Sequence, residues 1–193
     1  MKSDEIYVKR LSIDDADEVS KISSKVNAKN KDINNERNGF LIFEFNSEDY
    51  SKKIQNSEYC FGAFNDEDKL IGFIISFSGY EIDEYRAKGY LDYEADMLSK
   101  VKELAGDEIF IWGEQIAIYP GKYRKMGVGT KMLETLYSTM KKDNIKKMFA
   151  MVAMHPDTNI AGISFCKKNG FDFISFIIDK NNMMWCLMKH EFE

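Results

Sequence analysis

The stretch YRKMGVGTKML, residues 123–133, follows an apolar run and opens a pattern that is typical of an amphipathic helix. Gly127 and Gly129 allow the backbone to approach a ligand closely or to adopt a positive φ. Arg124 and Lys125 place two cations on the same turn. Because backbone N–H groups at the start of a helix are ready donors for an anion, the stretch predicts a phosphate-binding turn.

The spacing of the glycines excludes two common nucleotide-binding loops. A dinucleotide-binding GxGxxG loop requires a third glycine where the chain has Met132, and a Walker loop requires a GKS or GKT sequence that the chain lacks. The remaining RxxGxG pattern resembles the acetyl-CoA pyrophosphate loop of the GCN5-related N-acetyltransferases, the GNAT superfamily. The pattern and the residue after it are Arg124, Lys125, Met126, Gly127, Val128, Gly129 and Thr130. Taken alone, these residues also fit a tight turn that leads into a helix and binds nothing.

Composition narrows the class of protein. The 193 residues, 44% of them hydrophobic, suit a single domain with one core. A net charge of -5 and a pI near 5.3 argue against a nucleic-acid partner. No apolar stretch reaches the roughly 18 residues that cross a membrane, and the N-terminus has no apolar signal core, so we expect a cytoplasmic protein without a membrane partner. Three cysteines without CxxC spacing and two histidines predict neither a disulfide framework nor a metal centre.

Patterns of hydrophobic residues predict an order of strands and helices along the chain. Predicted strands cover residues 6–11, 59–64, 70–77, 108–118, 148–154, 171–178 and 183–188. The first predicted helix follows a capping box of Ser12 and Asp15. Further predicted helices cover residues 47–55, residues 90–104 within a helical insert at about 80–107, residues 128–140 and residues 159–168. Residues 27–39 are rich in Asn and charge and are interpreted as a loop. This element order is that of the same superfamily.

A second motif supports the resemblance. Residues 159–171, NIAGISFCKKNGF, are similar to the NxxAxxxYxKxGF signature of the superfamily. Gly162 replaces its alanine and Cys166 its tyrosine, whereas Lys168 and the final Gly-Phe pair match. The resemblance implies the acyl-CoA N-acyltransferase fold, an α/β (α+β) domain in which helices flank a central mixed, mostly antiparallel sheet of about seven strands. That sheet is expected to be splayed between strands 4 and 5.

The resemblance implies an N-acetyltransferase that uses acetyl-CoA as cosubstrate and no metal. A primary amine of a small molecule or peptide attacks the thioester directly in a ternary complex. Family position implies that the backbones of Ile116, Ala117 and Ile118 hold the pantetheine and thioester, although these residues also fit simple core packing. It further implies that residues 124–130 and Asn159 bind the rest of acetyl-CoA. Departures from the signature leave a second function open, a non-catalytic acyl-CoA sensor, and a homodimer is left open as well.

Glu114 is the candidate general base. An alkyl ammonium, with a pKa of about 10.4, must lose a proton before its nitrogen can attack. Glu114 lies on the predicted strand at 108–118, and the period of two places it on the same face as Ile116 and Ile118. A carboxylate on an otherwise apolar strand indicates a functional role. The same residue also fits a side chain that faces solvent or pairs with a lysine.

Cys166 is the candidate acid for the departing thiolate, because it stands where the superfamily commonly has tyrosine. A thiol can donate a proton, but its reach is shorter than that of a phenol. The alternative is a small buried helix residue with no catalytic part. Tyr119, Tyr123 and Tyr137 lie near the glycine loop in sequence and remain substitutes, and CoA thiolate also leaves without a dedicated acid.

The segment before the glycine loop departs from the superfamily. Three residues separate Pro120 from Arg124, whereas two are usual. Gly121 provides the flexibility that absorbs the additional residue. Contacts of residues 119–123 are therefore not carried over from the resemblance.

Two segments bear on the acceptor amine. Most of the charged residues at 81–108 are acidic, which suits a cationic amine, although a solvated helix face explains the same charges. By family position, residues 27–45 form the other wall of the acceptor site. The aromatic side chains of Phe40, Phe43 and Phe45 in that segment fit a core equally well.

Overall fold

The computed structural model of the chain describes residues 5–30, 39–89 and 95–192. Within these residues, seven strands form one sheet in the order β1-β2-β3-β4-β5-β7-β6. The strands are β1 (Tyr7–Arg10), β2 (Phe61–Phe64), β3 (Leu70–Ser78), β4 (Phe110–Ile118), β5 (Lys147–His155), β6 (Asp172–Ile178) and β7 (Met184–Glu191). The β1–β2, β2–β3, β5–β7 and β6–β7 pairs are antiparallel, and the β4–β5 pair is parallel. The predicted mixed, mostly antiparallel sheet is confirmed.

Helices flank the sheet as predicted. They are α1 (Ala16–Val26), α2 (Ser47–Gln55), α3 (Gly79–Ala87), α4 (Ala95–Ala105), α5 (Val128–Lys142) and α6 (Ile160–Lys168). Local signals set their ends. The predicted capping box is present, since the Asp15 carboxylate accepts a hydrogen bond from the Ser12 N–H over 2.8 Å, and a 3-10 turn leads into α1. Asn46 caps α2 by accepting a hydrogen bond from the Asp49 N–H over 2.9 Å.

The predicted insert contains more helix than its hydrophobic pattern indicates. The amphipathic pattern predicts one helix from residue 90 to residue 104, and α4 accounts for its described part, while residues 90–94 lie outside the described residues. The additional helix α3 begins at a capping box in which Ser78 N–H donates to Glu81 Oε2 over 2.6 Å. Only Ile82 and Tyr85 of α3 are buried, so its apolar stripe is too narrow to be recognised by periodicity.

The parallel β4–β5 ladder is short. It pairs residues 110–113 with residues 147–150, while β4 continues to Ile118 and β5 to His155. The expected splay of these strands at the thioester site stays a prediction. The loop predicted at 27–39 is described only in part, since residues 31–38 lie outside the described residues, and its first part is a β-bridge at Asn27 followed by a 3-10 turn.

The chain divides into two compact units, and the prediction of a single domain stays a prediction. The first unit comprises the described residues of Met1–Asn35, Phe40–Ser76 and Gln115–Thr139. Its core includes α1 packed on α2, with the Tyr50 ring at 5.7 Å from the ring of Phe73. The second unit comprises those of Glu36–Gly39, Phe77–Glu114 and Met140–Glu193, and its core includes an edge-to-face pair of Phe110 and Phe149 at 5.8 Å.

Candidate active site

The glycine loop forms a backbone turn in the first unit. Lys125 and Gly127 adopt positive φ values of 68° and 79° on either side of Met126. Alternation between the two hands of the backbone directs successive N–H groups to one side, which is the geometry of an anion-binding nest. A Cβ added to Gly127 meets no atom within 4 Å, so the space beside this turn is open to a ligand.

The first turn of α5 adds further donors. Lys131 N–H donates to the Gly127 carbonyl over 2.9 Å, which is the first hydrogen bond of the helix. The N–H groups of Val128, Gly129 and Thr130 precede that bond and lie at the positive end of the helix dipole. Residues 128–130, which belong to the predicted loop, are therefore consecutive N–H donors in the first turn of the helix. The Val128 side chain is buried, which fixes the start of the helix against the core of this unit.

Arg124 supplies the positive charge of the turn. Its side chain is half-buried, and this burial lowers the pKa of the Arg124 guanidinium from its ordinary value. A guanidinium nevertheless stays protonated at neutral pH. A partly desolvated cation next to a row of N–H donors favours a polyanion such as a pyrophosphate.

A buried hydrogen bond anchors the segment that leads into the loop. The Tyr123 hydroxyl accepts from Asn65 Nδ2 over 3.1 Å, and Asn65 Oδ1 accepts from Lys69 N–H over 2.9 Å. The β2–β3 turn thereby holds the residue that precedes Arg124. Gly121 has a φ of 105°, and its carbonyl accepts from Arg124 N–H over 3.2 Å, so a tight turn absorbs the additional residue of this segment.

The end of β4 alternates between two faces. Glu114, Ile116 and Ile118 are half-buried, whereas Gln115 and Ala117 between them are buried. This alternation agrees with the predicted common face of Glu114 and the two isoleucines. Glu114 Oε2 is buried. The carboxylate belongs to β4, the strand that is expected to carry the thioester.

Gln115 connects β4 to the predicted acceptor wall within the first unit. Its Nε2 donates to the Phe43 carbonyl over 3.0 Å, and its Oε1 accepts from the Tyr50 hydroxyl over 2.7 Å. The rings of Phe43 and Phe45 stack at 6.5 Å and remain half-buried. Lys53, almost fully buried, places Nζ 4.1 Å from the centroid of the Phe45 ring. No motif or hydrophobic period in the sequence indicates Gln115, Tyr50 or Lys53 as part of this site.

Tyr119 follows β4 and contacts a lysine from α1. Lys25 Nζ donates to the Tyr119 hydroxyl over 2.6 Å. This hydrogen bond, together with the charge of Lys25, lowers the pKa of Tyr119. The sequence gives no signal for such a pair, because the two residues are separated by most of the first unit and neither belongs to a motif.

The second motif lies in the second unit. Asn159 caps α6, because its Oδ1 accepts from Gly162 N–H over 2.9 Å. A Cβ added to Gly162 meets Val152 Cγ1 at 2.9 Å and Asn159 Cγ at 3.0 Å, so the alanine of the superfamily signature does not fit here. Cys166 is the one buried residue of α6, and burial raises the pKa of its thiol to about 12. This environment favours the packing alternative for Cys166 over the acid.

The described residues contain no group of three or more His, Cys, Asp or Glu side chains that could hold a metal ion. Among the same residues, no helix is both long and apolar enough to span a membrane.

A sheet of this order, with a nest-like glycine turn between its fourth strand and the following helix, matches the fold expected of a GNAT-type acetyltransferase. The sequence model of the Acetyltransferase (GNAT) family matches residues 30–171. The chain belongs to this family and is a GNAT-type acetyltransferase.

Solved structures share the fold. Ard1 from Thermoplasma volcanium superimposes with a TM-score of 0.67 at 14% identity, over 97% of this chain and 98% of its own. Arabidopsis thaliana Naa50, in complex with the bisubstrate analogue CoA-Ac-MVNAL, gives a TM-score of 0.63 at 12% identity, over 97% and 99%. The polyamine N-acetyltransferase of Drosophila melanogaster, which forms N-acetylagmatine, gives a TM-score of 0.65 at 11% identity, over 97% of this chain and 100% of its own. A search of curated proteins finds no match.

Proposed function

We propose that this acetyltransferase moves the acetyl group of acetyl-CoA to a primary amine of a small molecule or peptide, by direct attack in a ternary complex. The observation that carries the proposal is the open turn at Lys125 and Gly127, directly before the first hydrogen bond of α5. A row of backbone donors beside a half-buried arginine suits a pyrophosphate, and CoA carries one.

Donor binding is divided among three segments in this proposal. The pyrophosphate binds the N–H groups of residues 125–130 and the Arg124 guanidinium. The backbone of residues 116–118 pairs with the pantetheine, which leaves the side chains of this segment available for packing. Asn159 contributes through the start of α6, which it caps.

The chemistry requires one proton acceptor and one site for the developing oxyanion. Glu114 takes a proton from the substrate ammonium, directly or through a water molecule. The amine nitrogen then bonds to the thioester carbon, a backbone N–H near residues 116–118 stabilises the oxyanion, and the C–S bond breaks. The positively charged nitrogen then loses a second proton and the released thiolate gains one through solvent, so the products are the amide and the CoA thiol, while Glu114 returns its proton to solvent.

Cys166 as the acid for that thiolate stays a prediction that its surroundings do not favour. A thiol with a pKa of about 12 is a weaker acid than an ordinary thiol, so transfer of its proton to CoA thiolate is uphill. We therefore propose that Cys166 packs α6 against the sheet of the second unit.

Both acceptor classes are represented among proteins of this fold. Naa50 carries a peptide-based bisubstrate analogue, and the Drosophila enzyme forms N-acetylagmatine. For this chain, the aromatic segment held by Gln115 supports an acceptor with an apolar part next to its amine. A cytoplasmic location is part of the proposal and rests on composition.

Thermal unfolding with acetyl-CoA tests donor binding. Ligand at about 100 times its dissociation constant stabilises the folded state by about 2.7 kcal/mol, so the Tm of the wild-type protein should rise. Gly127→Asp should abolish the rise. Gly89→Asp is the matched control, because Gly89 has a φ of 76° and equally open space, so both variants carry the same backbone strain.

Thiol release with a panel of peptide and polyamine amines tests catalysis. Turnover with either class supports the proposal. A Tm rise without turnover on any amine indicates the non-catalytic acyl-CoA sensor, and an unchanged Tm contradicts CoA binding altogether.

A further inference from the structure

The predicted acceptor wall of the first unit includes a segment without regular secondary structure. Leu41 forms a single β-bridge with Asn27, and residues 42–45 belong to no helix or strand. Residues 41–45 are here called the wall segment, which contains two half-buried phenylalanines. A segment of this kind keeps one conformation only where other groups hold its backbone.

Side chains from α1 hold both ends of the wall segment. The hydroxyl of Ser20 donates a hydrogen bond to the Phe45 carbonyl over 3.1 Å. At the other end, Asn27 follows the last residue of α1, and its Nδ2 donates to the Ile42 carbonyl over 3.3 Å. Side-chain donors thus hold these carbonyls as a neighbouring strand would in a sheet.

Gln115 holds the middle of the wall segment from β4. This residue is 6% exposed, and its Nε2 donates to the Phe43 carbonyl over 3.0 Å. Because a carbonyl only accepts, the amide nitrogen and not the amide oxygen must face Phe43. The Tyr50 hydroxyl donates to Gln115 Oε1 over 2.7 Å and fixes this orientation. Both ends of the buried amide are therefore in use.

Gln115 also ties the wall segment to the proposed donor site. It directly precedes residues 116–118, the part of β4 that is proposed to hold the pantetheine and thioester. The Phe43 ring, stacked on Phe45 at 6.5 Å, is thereby held at a set distance from that part of the strand. Because transfer between two bound reactants is sensitive to small errors in their placement, such a tie bears on the acceptor.

Packing alone does not account for a glutamine at this position. Glutamine side chains are mostly exposed in proteins, so a buried one indicates a use for its amide. An apolar side chain of the same size would fill the space, but it would not bind the Phe43 carbonyl or the Tyr50 hydroxyl. The amide therefore serves the wall segment, and its loss should be felt by a ligand that contacts that segment.

We infer that Gln115 is a positioning residue, which sets the wall segment against the donor strand and thereby determines the affinity for the acceptor amine. It acts through the Phe43 carbonyl and touches neither the donor nor the reacting atoms. The inference rests on the proposed function, because it presupposes an acceptor amine that contacts the wall segment.

Steady-state kinetics of Gln115→Met test the inference. Methionine keeps the length of the side chain and removes both hydrogen bonds. The KM for the best amine of the panel should rise about fivefold to tenfold, because that amine must now order the wall segment as it binds. The KM for acetyl-CoA and kcat should stay within about twofold of the wild type. Tyr50→Phe removes one of the two bonds, so it should raise the KM for the amine by a smaller factor.

Ser57→Ala is the matched control. Ser57 is buried in the same unit, where its hydroxyl donates to the Ser76 carbonyl over 2.6 Å and accepts from the Tyr59 N–H over 3.0 Å. Ser57→Ala therefore also loses two buried hydrogen bonds, so its Tm should fall while all three kinetic constants stay unchanged. A rise in the KM for the amine as large in this control as in Gln115→Met would reduce Gln115 to a general structural role and overturn the inference.

A double variant tests whether Gln115 acts through the wall segment. Phe43→Ala should itself raise the KM for the amine, and adding Gln115→Met should raise it by less than the product of the two single effects. Amides of residues 41–45 should also exchange hydrogen faster in Gln115→Met than in Ser57→Ala. Fully independent effects, or equal exchange, would overturn the inference.

Failure of this inference differs from failure of the proposed function. If the wild-type chain acetylates an amine and Gln115→Met and Tyr50→Phe keep the wild-type KM for it, only the positioning role is contradicted. A fall in kcat with an unchanged KM for the amine contradicts that role as well. A wild-type chain that acetylates no amine contradicts the proposed function, and this inference with it.

Discussion

Asn65 Nδ2 donates a hydrogen bond to the Tyr123 hydroxyl over 3.1 Å, and this buried pair joins the β2–β3 turn to the residue before Arg124. The glycine loop is therefore held from a hairpin 58 residues away in the chain. A nest binds an anion well only when its N–H groups are already in place, so the anchor should contribute to CoA affinity.

Tyr123→Phe should weaken acetyl-CoA binding several-fold and lower the free energy of unfolding by about 1–3 kcal/mol, because the buried Asn65 amide loses an acceptor. Calorimetric titration and urea unfolding measure the two effects. Tyr80→Phe removes a hydroxyl from an exposed ring and should change neither quantity. An unaltered dissociation constant for Tyr123→Phe would show that the loop needs no anchor.

Glu114→Gln should lower kcat by about 10²–10⁴, because the amide cannot accept the ammonium proton, while acetyl-CoA binding stays as in the wild type. Steady-state kinetics with the best amine of the panel measure kcat. Glu108→Gln is the control, since Glu108 precedes the same strand and forms an exposed ion pair with Lys147 over 2.7 Å. Undiminished turnover would remove Glu114 from the mechanism.

Gly162→Ala should destabilise the second unit although alanine favours helices. The gain in helix propensity is about 1 kcal/mol, whereas the contacts of the new Cβ with Val152 and Asn159 cost about 1–3 kcal/mol. Urea unfolding measures the difference. Ser164→Ala, at an exposed position of the same helix, should change stability by less than about 0.5 kcal/mol. A more stable Gly162→Ala variant would contradict the close packing of α6.

Cys166 should make stability depend on pH in the alkaline range. Its pKa is about 12 in the folded chain and 9.0 ordinarily, so between these values the unfolded chain releases a proton that the folded chain keeps. The contribution of the neutral thiol to the free energy of unfolding is therefore fully present below pH 9.0. It falls between pH 9.0 and about 12, by up to about 1.4 kcal/mol per pH unit.

In Cys166→Ala, the free energy of unfolding should no longer fall with pH because of this thiol. Urea unfolding at several alkaline pH values measures the difference. The same variant should keep kcat within about twofold, because packing rather than proton donation is its proposed role. A large fall in kcat with unchanged acetyl-CoA binding would restore Cys166 to the catalytic residues.

Local signals in the sequence determined the element order, the glycine turn and most helix ends. The helix predicted at 47–55 is α2, Ser47–Gln55, because its cap and apolar stripe are encoded within a few neighbouring residues. The positive φ at Gly127 likewise follows from the absence of a Cβ. Helix α3 of the insert escaped prediction because it buries only two residues.

Tertiary structure alone decided which distant side chains support the site. Asn65 with Tyr123, Gln115 with Tyr50, and Lys25 with Tyr119 are pairs of residues 58 to 94 positions apart. No periodicity or motif encodes such pairs, because their contact depends on how strands and helices pack after they form. The bulge in β6 has the same origin, since it exists only in the register with β7. It places the exposed side chains of Phe173, Phe176 and Ile178 on one face of the sheet.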